Sequence, residues 1–331
     1  MSDLRDQTGL SAGSVRLAIV GVGRFGRIHA MKLAQMPEVD LIGIADIDRD
    51  RGGELAHGLS VPFTHDYRDL IGHSQAAVIT ATTSAHHDIA AAFLETGSDV
   101  FIEKPMATTA VEAEDLVQKA RKTGAILQVG HIERFGTLFK RIRQYADRPL
   151  YIETVRIAPF GLRGTDVSVV LDVMIHDLDL VIGLVAAPLE EVSAIGAPIF
   201  SENDDIASAR LTFANGCVAN LTASRISMKR ERRMRIFQQD HFLSADFDAN
   251  SIRVIRKSAG AGSPGIDTED FQAPRSDPLQ LELDNFIHCV RTRERPLVSG
   301  EEGRDALIAA IMVTDTLKAH HDRLRRSGLV V

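Results

Sequence analysis

Residues Arg16-Leu17-Ala18-Ile19-Val20 lead directly into Gly21-Val22-Gly23-Arg24-Phe25-Gly26, so an apolar, β-rich run ends on G-x-G-x-x-G. A helical pattern follows over 27–35, and a second apolar run, Leu41 to Ala45, ends on Asp46. The glycine spacing gains its meaning from this strand–turn–helix–strand context. Gly21 permits a tight turn, Gly23 lets backbone approach a pyrophosphate, and Gly26 lets helix pack on strand. The helix start offers free N–H groups and partial positive charge to phosphate. Arg24 and Phe25, between the glycines, are expected beside the same ligand. Asp46 falls about 20 residues on, where a carboxylate accepts both hydroxyls of an adenosine ribose and repels a 2′-phosphate. The expected cofactor is therefore NAD, with Arg49 and Arg51 near enough to soften the preference.

From residue 16 to about 128, strands expected at 16–21, 40–45, 76–81, 99–102 and 125–129 alternate with helices at 24–36, 49–57, 85–96 and 109–123. That alternation predicts right-handed βαβ units and a parallel sheet, with the ligand crevice beyond the strand C-terminal ends. Gly21, Asp46, Thr80 to Thr83, Glu103-Lys104 and Val129 to His131 all follow expected strand ends, so they should converge on one edge. After about residue 149 strands recur with few helices between them: 150–157, 190–196, 206–213, 216–223, 232–238, 241–246 and 251–256. Asn215-Gly216 between two of them signals a hairpin. Helices are expected at 169–185, 278–292 and 301–325. The fold class is α/β: a Rossmann dinucleotide-binding domain at 15–130, then an α+β substrate and oligomerisation domain at 131–331 with a large, mostly antiparallel sheet. Residues 1–14 read as a flexible tail.

The net charge of −7, from 38 basic and 45 acidic residues, argues against a nucleic-acid binder or a protein of anionic membranes. No apolar run approaches the ~18 residues of a bilayer span. The polar start lacks the apolar core of a signal peptide, and the expected location is cytoplasmic. Cys217 and Cys289 sit in apolar patterns and read as buried free thiols. No cysteine cluster exists for zinc. His86-His87 and His320-His321 lack carboxylates at ligand spacing, so no metal is expected.

Three segments carry candidate chemistry. Glu103-Lys104-Pro105 follows a strand, where a lysine can hydrogen-bond a reacting hydroxyl and lower the pKa of a neighbouring acid–base group. Asp172 and His176 stand at i and i+4 on the helix expected at 169–185, and a histidine is suited to take a proton from an alcohol near neutral pH. Gln128-Val129-Gly130-His131-Ile132-Glu133-Arg134-Phe135 places a histidine, a glutamate and an arginine after the last Rossmann strand.

G-x-G-x-x-G, Glu103-Lys104-Pro105 and Asp172-x-x-x-His176, in that order and across a change from Rossmann to antiparallel texture, resemble the Gfo/Idh/MocA oxidoreductase family. The resemblance implies Lys104, Asp172 and His176 as the catalytic set. It implies NAD contacts from Gly21, Gly23, Arg24, Phe25, Gly26, Asp46, Thr80, Ala81, Thr82, His86, Glu103 and Lys104. Thr82 stands where the family commonly has proline. A narrower likeness, through Val129 to Phe135 and Asp166 to Leu180, is to the UDP-N-acetylglucosamine 3-dehydrogenase branch, which oxidises the sugar 3-hydroxyl ahead of an aminotransferase in lipid A synthesis. Gly136-Thr137 replaces that branch's asparagine-proline. The implied substrate is a sugar or nucleotide sugar, with His131, Glu133 and Arg134 near the sugar and Arg163 or Arg225 pairing with the pyrophosphate. The alternatives are an inositol or simple-sugar dehydrogenase of the same family, or a catalytically inactive nucleotide-sensing regulator. The intact Lys104, Asp172 and His176 speak against the regulator. A homodimer or homotetramer is expected through an exposed face of the large sheet.

Overall fold

A computed structural model describes residues 13–161, 167–258 and 265–329. The chain divides into two compact units. One runs to His131 and includes Leu279–Arg304; the other comprises Ile132–Pro278 and the residues from Asp305 onward.

The first unit is built on six parallel strands: β1 (Val15–Val20), β2 (Val39–Ala45), β3 (Phe63–Thr64), β4 (Ala76–Ile79), β5 (Asp99–Glu103) and β6 (Leu127–Gly130). Their order is β3-β2-β1-β4-β5-β6, which is the doubly wound arrangement. Helices α1 (Arg24–Leu33), α2 (Arg49–Leu59), α3 (Thr83–Glu95) and α4 (Ala110–Thr123) connect them. Local chemistry sets their ends. The Asp48 side chain accepts from Arg51 N–H to start α2, and Thr109 with Glu112 forms a capping box on α4. Gly124, at φ 72°, stops α4 in the left-handed conformation. β4 is buried at every position, as expected of a central parallel strand covered on both faces.

The second domain expected over 131–331 is interrupted. Helix α7 (Pro278–Thr292) contributes Leu283, Phe286, Ile287, Cys289 and Val290 to the buried cluster that also holds Leu17, Ile19, Ala76 and Phe101. The Gln128 side chain donates to the carbonyl of Glu282 at 3.0 Å, and Val129 N–H donates to the carbonyl of Val298 at 3.0 Å. Apolar periodicity shows that α7 has a buried face, but not which sheet it buries against.

The second unit carries eight strands: β7 (Tyr151–Ile157), β8 (Leu189–Ala197), β9 (Ile206–Phe213), β10 (Val218–Ser224), β11 (Glu231–Phe237), β12 (His241–Asp246), β13 (Ser251–Lys257) and β14 (Ile266–Gln272). Their order is β14-β13-β12-β11-β7-β10-β9-β8, antiparallel except for the β7–β10 pair. The hairpin expected at Asn215-Gly216 joins β9 to β10, with Gly216 at φ 84°. The cross-strand row Ile152, Ile236, Leu243 and Val254 lies in the main core. The neighbouring row, Tyr151, Phe237 and Phe242, points to the opposite face, as the two-residue period of a strand requires. Helix α5 (Thr137–Tyr145) supplies Leu138, Phe139 and Ile142 to the core, and α6 (Ile175–Val185) supplies Leu178 and Val181. A π-helical stretch, Val170–Met174, leads into α6. The last helix, α8 (Gly300–Arg326), adds Ala309, Ala310, Val313 and Leu317.

Candidate active site

The glycine loop has the stereochemistry its sequence implies. Gly21 sits at φ +83°, and a Cβ there would stand 2.6 Å from the backbone of Ala81. A Cβ at Gly26 would run into the Gly21 carbonyl and the Thr80 hydroxyl. At Gly23 a Cβ would meet no protein atom within 4 Å, so the missing side chain leaves approach open from the cleft side. Gly23 caps α1 without a side-chain hydrogen bond, and no acidic residue occupies the first turn. The helix start therefore keeps its N–H groups and partial positive charge for an anion. A cleft of about 530 Å³ runs past Gly21, Gly23, Asp46, Ile47, Arg51, His65, Arg68 and Thr80 to Thr82. These groups fit a dinucleotide. Arg24 and Phe25 are exposed on the first turn of α1 and do not line that cleft.

Asp46 ends β2 and is 4% exposed. One carboxylate oxygen accepts from Val22 N–H at 2.6 Å, the other from Asp48 N–H at 2.8 Å. Arg51 forks onto both, at 2.7 and 3.3 Å. Burial acts to raise the Asp46 pKa, but Arg51 and the two N–H groups outweigh it and hold the carboxyl below its usual range.

The Thr80 hydroxyl donates to the carbonyl of Gly21, which ties the loop after β4 to the glycine turn. Thr82, at φ −69°, lies in the range that proline fixes, so the backbone at this position is one that a proline would also adopt. Buried His86 faces two carbonyls, Ala81 O at 3.0 Å and Pro105 O at 2.9 Å. It thereby links the loop after β4 to the turn that bears Lys104. Burial pushes its pKa down, and the neutral ring donates to one of the two carbonyls at a time. Glu103 is held from the other side by fully buried His29, at 2.8 Å, and accepts from Lys104 N–H at 3.2 Å. His29 carries no signal in sequence beyond its place on α1.

In the second unit, Asp172 lies in the π-helical stretch and His176 in the first turn of α6, both half-buried. A π turn is a common local distortion at functional positions. Asp177, next to His176, forks onto Arg156 of β7 at 2.7–3.1 Å, and Arg156 reaches Glu133 at 3.1 Å. Burial opposes the Arg156 charge, yet Asp177 and Glu133 raise its pKa. Glu133 also pairs with Arg232.

Two expected substrate cations are spent elsewhere. Arg134 forks onto Asp179 with both bonds at 2.8 Å and donates to the Asp179 carbonyl at 2.9 Å, with its side chain 7% exposed. A Cβ at Gly183 would stand 2.6 Å from that guanidinium, so Arg134 lies flat on the α6 backbone. Arg225 binds Asp205 at 2.8 Å, the Val167 carbonyl at 2.9 Å and the Ser201 hydroxyl at 3.0 Å. Each is an internal tie, because the Asp179 and Asp205 carboxylates are buried and would otherwise lack a cation. His131, at the end of the first unit, is 1% exposed. Arg163 lies outside the described residues.

Among the described residues no group of three or more His, Cys, Asp or Glu side chains could hold a metal ion. No described helix is long and apolar enough to cross a membrane.

Residues 15–131 match the model of an oxidoreductase family with an NAD-binding Rossmann fold, and residues 157–241 match the GFO/IDH/MocA C-terminal domain. The UDP-N-acetylglucosamine 3-dehydrogenase of Acidithiobacillus ferrooxidans is 34% identical over 93% of this chain and 99% of its own. A solved structure of that enzyme superposes with a TM-score of 0.87 over 92% of this chain and 98% of that one. The myo-inositol 2-dehydrogenase of Thermotoga maritima is 28% identical over 92% of this chain and 96% of its own. The scyllo-inositol dehydrogenase of Lactobacillus casei, solved with NAD(H) and scyllo-inositol, shares the fold alone, with a TM-score of 0.78 at 18% identity over 93% and 98% of the two chains. With a dinucleotide cleft of this stereochemistry and matches in both halves of the sequence, the chain belongs to the GFO/IDH/MocA family of NAD-dependent oxidoreductases.

Proposed function

We propose that the chain oxidises the 3-hydroxyl of UDP-N-acetylglucosamine to the ketone. The observation that carries this reading is similarity over 93% of the chain, at 34% identity, to an enzyme named for that reaction. Bound NAD supplies the hydride acceptor. The protein supplies position and proton transfer. His176 takes the hydroxyl proton, Asp172 one turn earlier orients the imidazole, and the Lys104 ammonium hydrogen-bonds the hydroxyl oxygen as negative charge develops there. His86 and Glu103 hold the turn from which Lys104 extends.

A nucleotide sugar also needs cations for its diphosphate. Arg163 is one candidate. A second-unit cavity of about 250 Å³, lined by Arg232, Arg275 and the first turn of α5, has suitable lining for the same purpose. The half-buried Tyr151–Phe237–Phe242 row, on the sheet face opposite the core, supports pairing of sheet faces in a homodimer or homotetramer. The ketone formed is the kind of substrate an aminotransferase consumes.

A second reading, an inositol dehydrogenase, is favoured by the 28% identity to the Thermotoga maritima enzyme. One panel separates the two: NADH formation from UDP-N-acetylglucosamine, free N-acetylglucosamine and myo-inositol. UDP-N-acetylglucosamine alone should react, and UDP should compete with it. Faster oxidation of myo-inositol would overturn the first reading. In the same assay His176→Ala should lower turnover by roughly 10² to 10⁴ and leave NAD affinity unchanged.

A further inference from the structure

A carboxylate has about four lone-pair positions, and in Asp46 all four are taken. Two belong to backbone N–H groups fixed by the fold, Val22 in the glycine loop and Asp48 in the turn before α2. The other two belong to Arg51, through Nη2 at 2.7 Å and Nε at 3.3 Å. A ribose diol arrives with two O–H donors and finds only the two positions that Arg51 holds.

Arg51 is able to leave. Its side chain is 46% exposed, against 2% for Asp46. The Asp48 carboxylate, 3.4 Å from Nη1, stands ready to receive it. The Asp46 end is buried, but the arginine end is open to water, so a displaced guanidinium is resolvated and a ligand that satisfies Asp46 can take its place. Arg51 and Arg68 both line the cleft, and neither is consumed by the backbone.

We propose that Arg51 is a latch on the cofactor site. It satisfies Asp46 until the adenosine ribose of NAD displaces it, and the released guanidinium becomes the cation that admits a 2′-phosphate. Arg51 therefore weakens NAD binding and softens discrimination against NADP. The inference rests on Asp46 being the ribose ligand.

The test is calorimetric titration of NAD⁺ and NADP⁺ into the full chain and into Arg51→Ala, Arg51→Lys and Asp46→Asn. Arg51→Ala should bind NAD⁺ about two- to five-fold more tightly, the scale of an ion pair solvated at its arginine end, and NADP⁺ about five-fold more weakly. Arg51→Lys, which keeps the charge but loses the fork, should gain NAD⁺ affinity while retaining most of its NADP⁺ binding. Weaker or unchanged NAD⁺ binding in Arg51→Ala, or an unchanged ratio between the cofactors, overturns the latch. Asp46→Asn separates the two failures. If it leaves NAD⁺ affinity unaltered, the ribose assignment falls and the latch with it. If it weakens NAD⁺ while Arg51→Ala is silent, the latch alone falls.

Discussion

Replacing Arg134 by methionine decides whether this arginine serves the substrate or the fold. The change would leave the Asp179 carboxylate, 1% exposed, facing a thioether. Three hydrogen bonds would go at once, two of them to the carboxylate. Removing one partner of a buried pair costs about 3–5 kcal/mol, because the remaining charge stays desolvated. In a unit of this size 1 kcal/mol moves the melting temperature by about 2–4 °C, so the second unit should melt about 6–20 °C lower. Scanning calorimetry reads this directly. The double variant Arg134→Met/Asp179→Leu removes both charges and should recover more than half of the loss. A single variant melting within about 3 °C of wild type, with a tenfold rise in KM for the sugar, would refute the structural role.

Gly26→Ala should lower NAD affinity about tenfold or more while the chain stays folded, since the new Cβ displaces the glycine turn and the Thr80 hydroxyl; unchanged titration by NAD would contradict this. Burial pushes the Cys217 thiol up to about 11 and raises that of Cys289, so a thiol reagent should label neither in the native protein and both after unfolding. Burial opposes the Asp205 charge, but Phe200 N–H, Arg225 and Ser201 hold its carboxyl far below the usual range. The resulting stability is fully present above the unfolded carboxyl value of about 4 and is lost as pH falls towards the folded one. The deficit of Asp205→Asn in urea unfolding should therefore be full at pH 7 and narrower at pH 3; a constant deficit would count against it.

The Rossmann half is legible because its signals are local. The glycines, the apolar runs and Asp46 lie within one βαβ unit, and the expected elements match to within a few residues. Helix α5 is legible too, since Leu138, Phe139 and Ile142 make one apolar face at helical spacing. β14 was not readable. Ile-Asp-Thr-Glu-Asp-Phe-Gln is polar and almost wholly exposed at a sheet edge, so no apolar alternation marks it. The fates of Arg134 and Arg225 were hidden for another reason. Their partners lie 45 and 20 positions away, and an arginine near a loop end looks the same in sequence whether it meets a ligand or a buried aspartate.

The return of Leu279–Arg304 to the first unit has a bearing on synthesis and on engineering. A ribosome releases residues 15–131 early, yet the nascent Rossmann sheet lacks Phe286 and Ile287 against its core and the Val298 carbonyl against Val129. Those arrive only after 132–278 has been translated. Folding of the first unit is thus deferred, with apolar surface awaiting cover that a chaperone could shield meanwhile. A fragment cut at His131 should be poorly soluble, whereas one that fuses Leu279–Arg304 back through a short linker should behave as a self-standing dinucleotide-binding module.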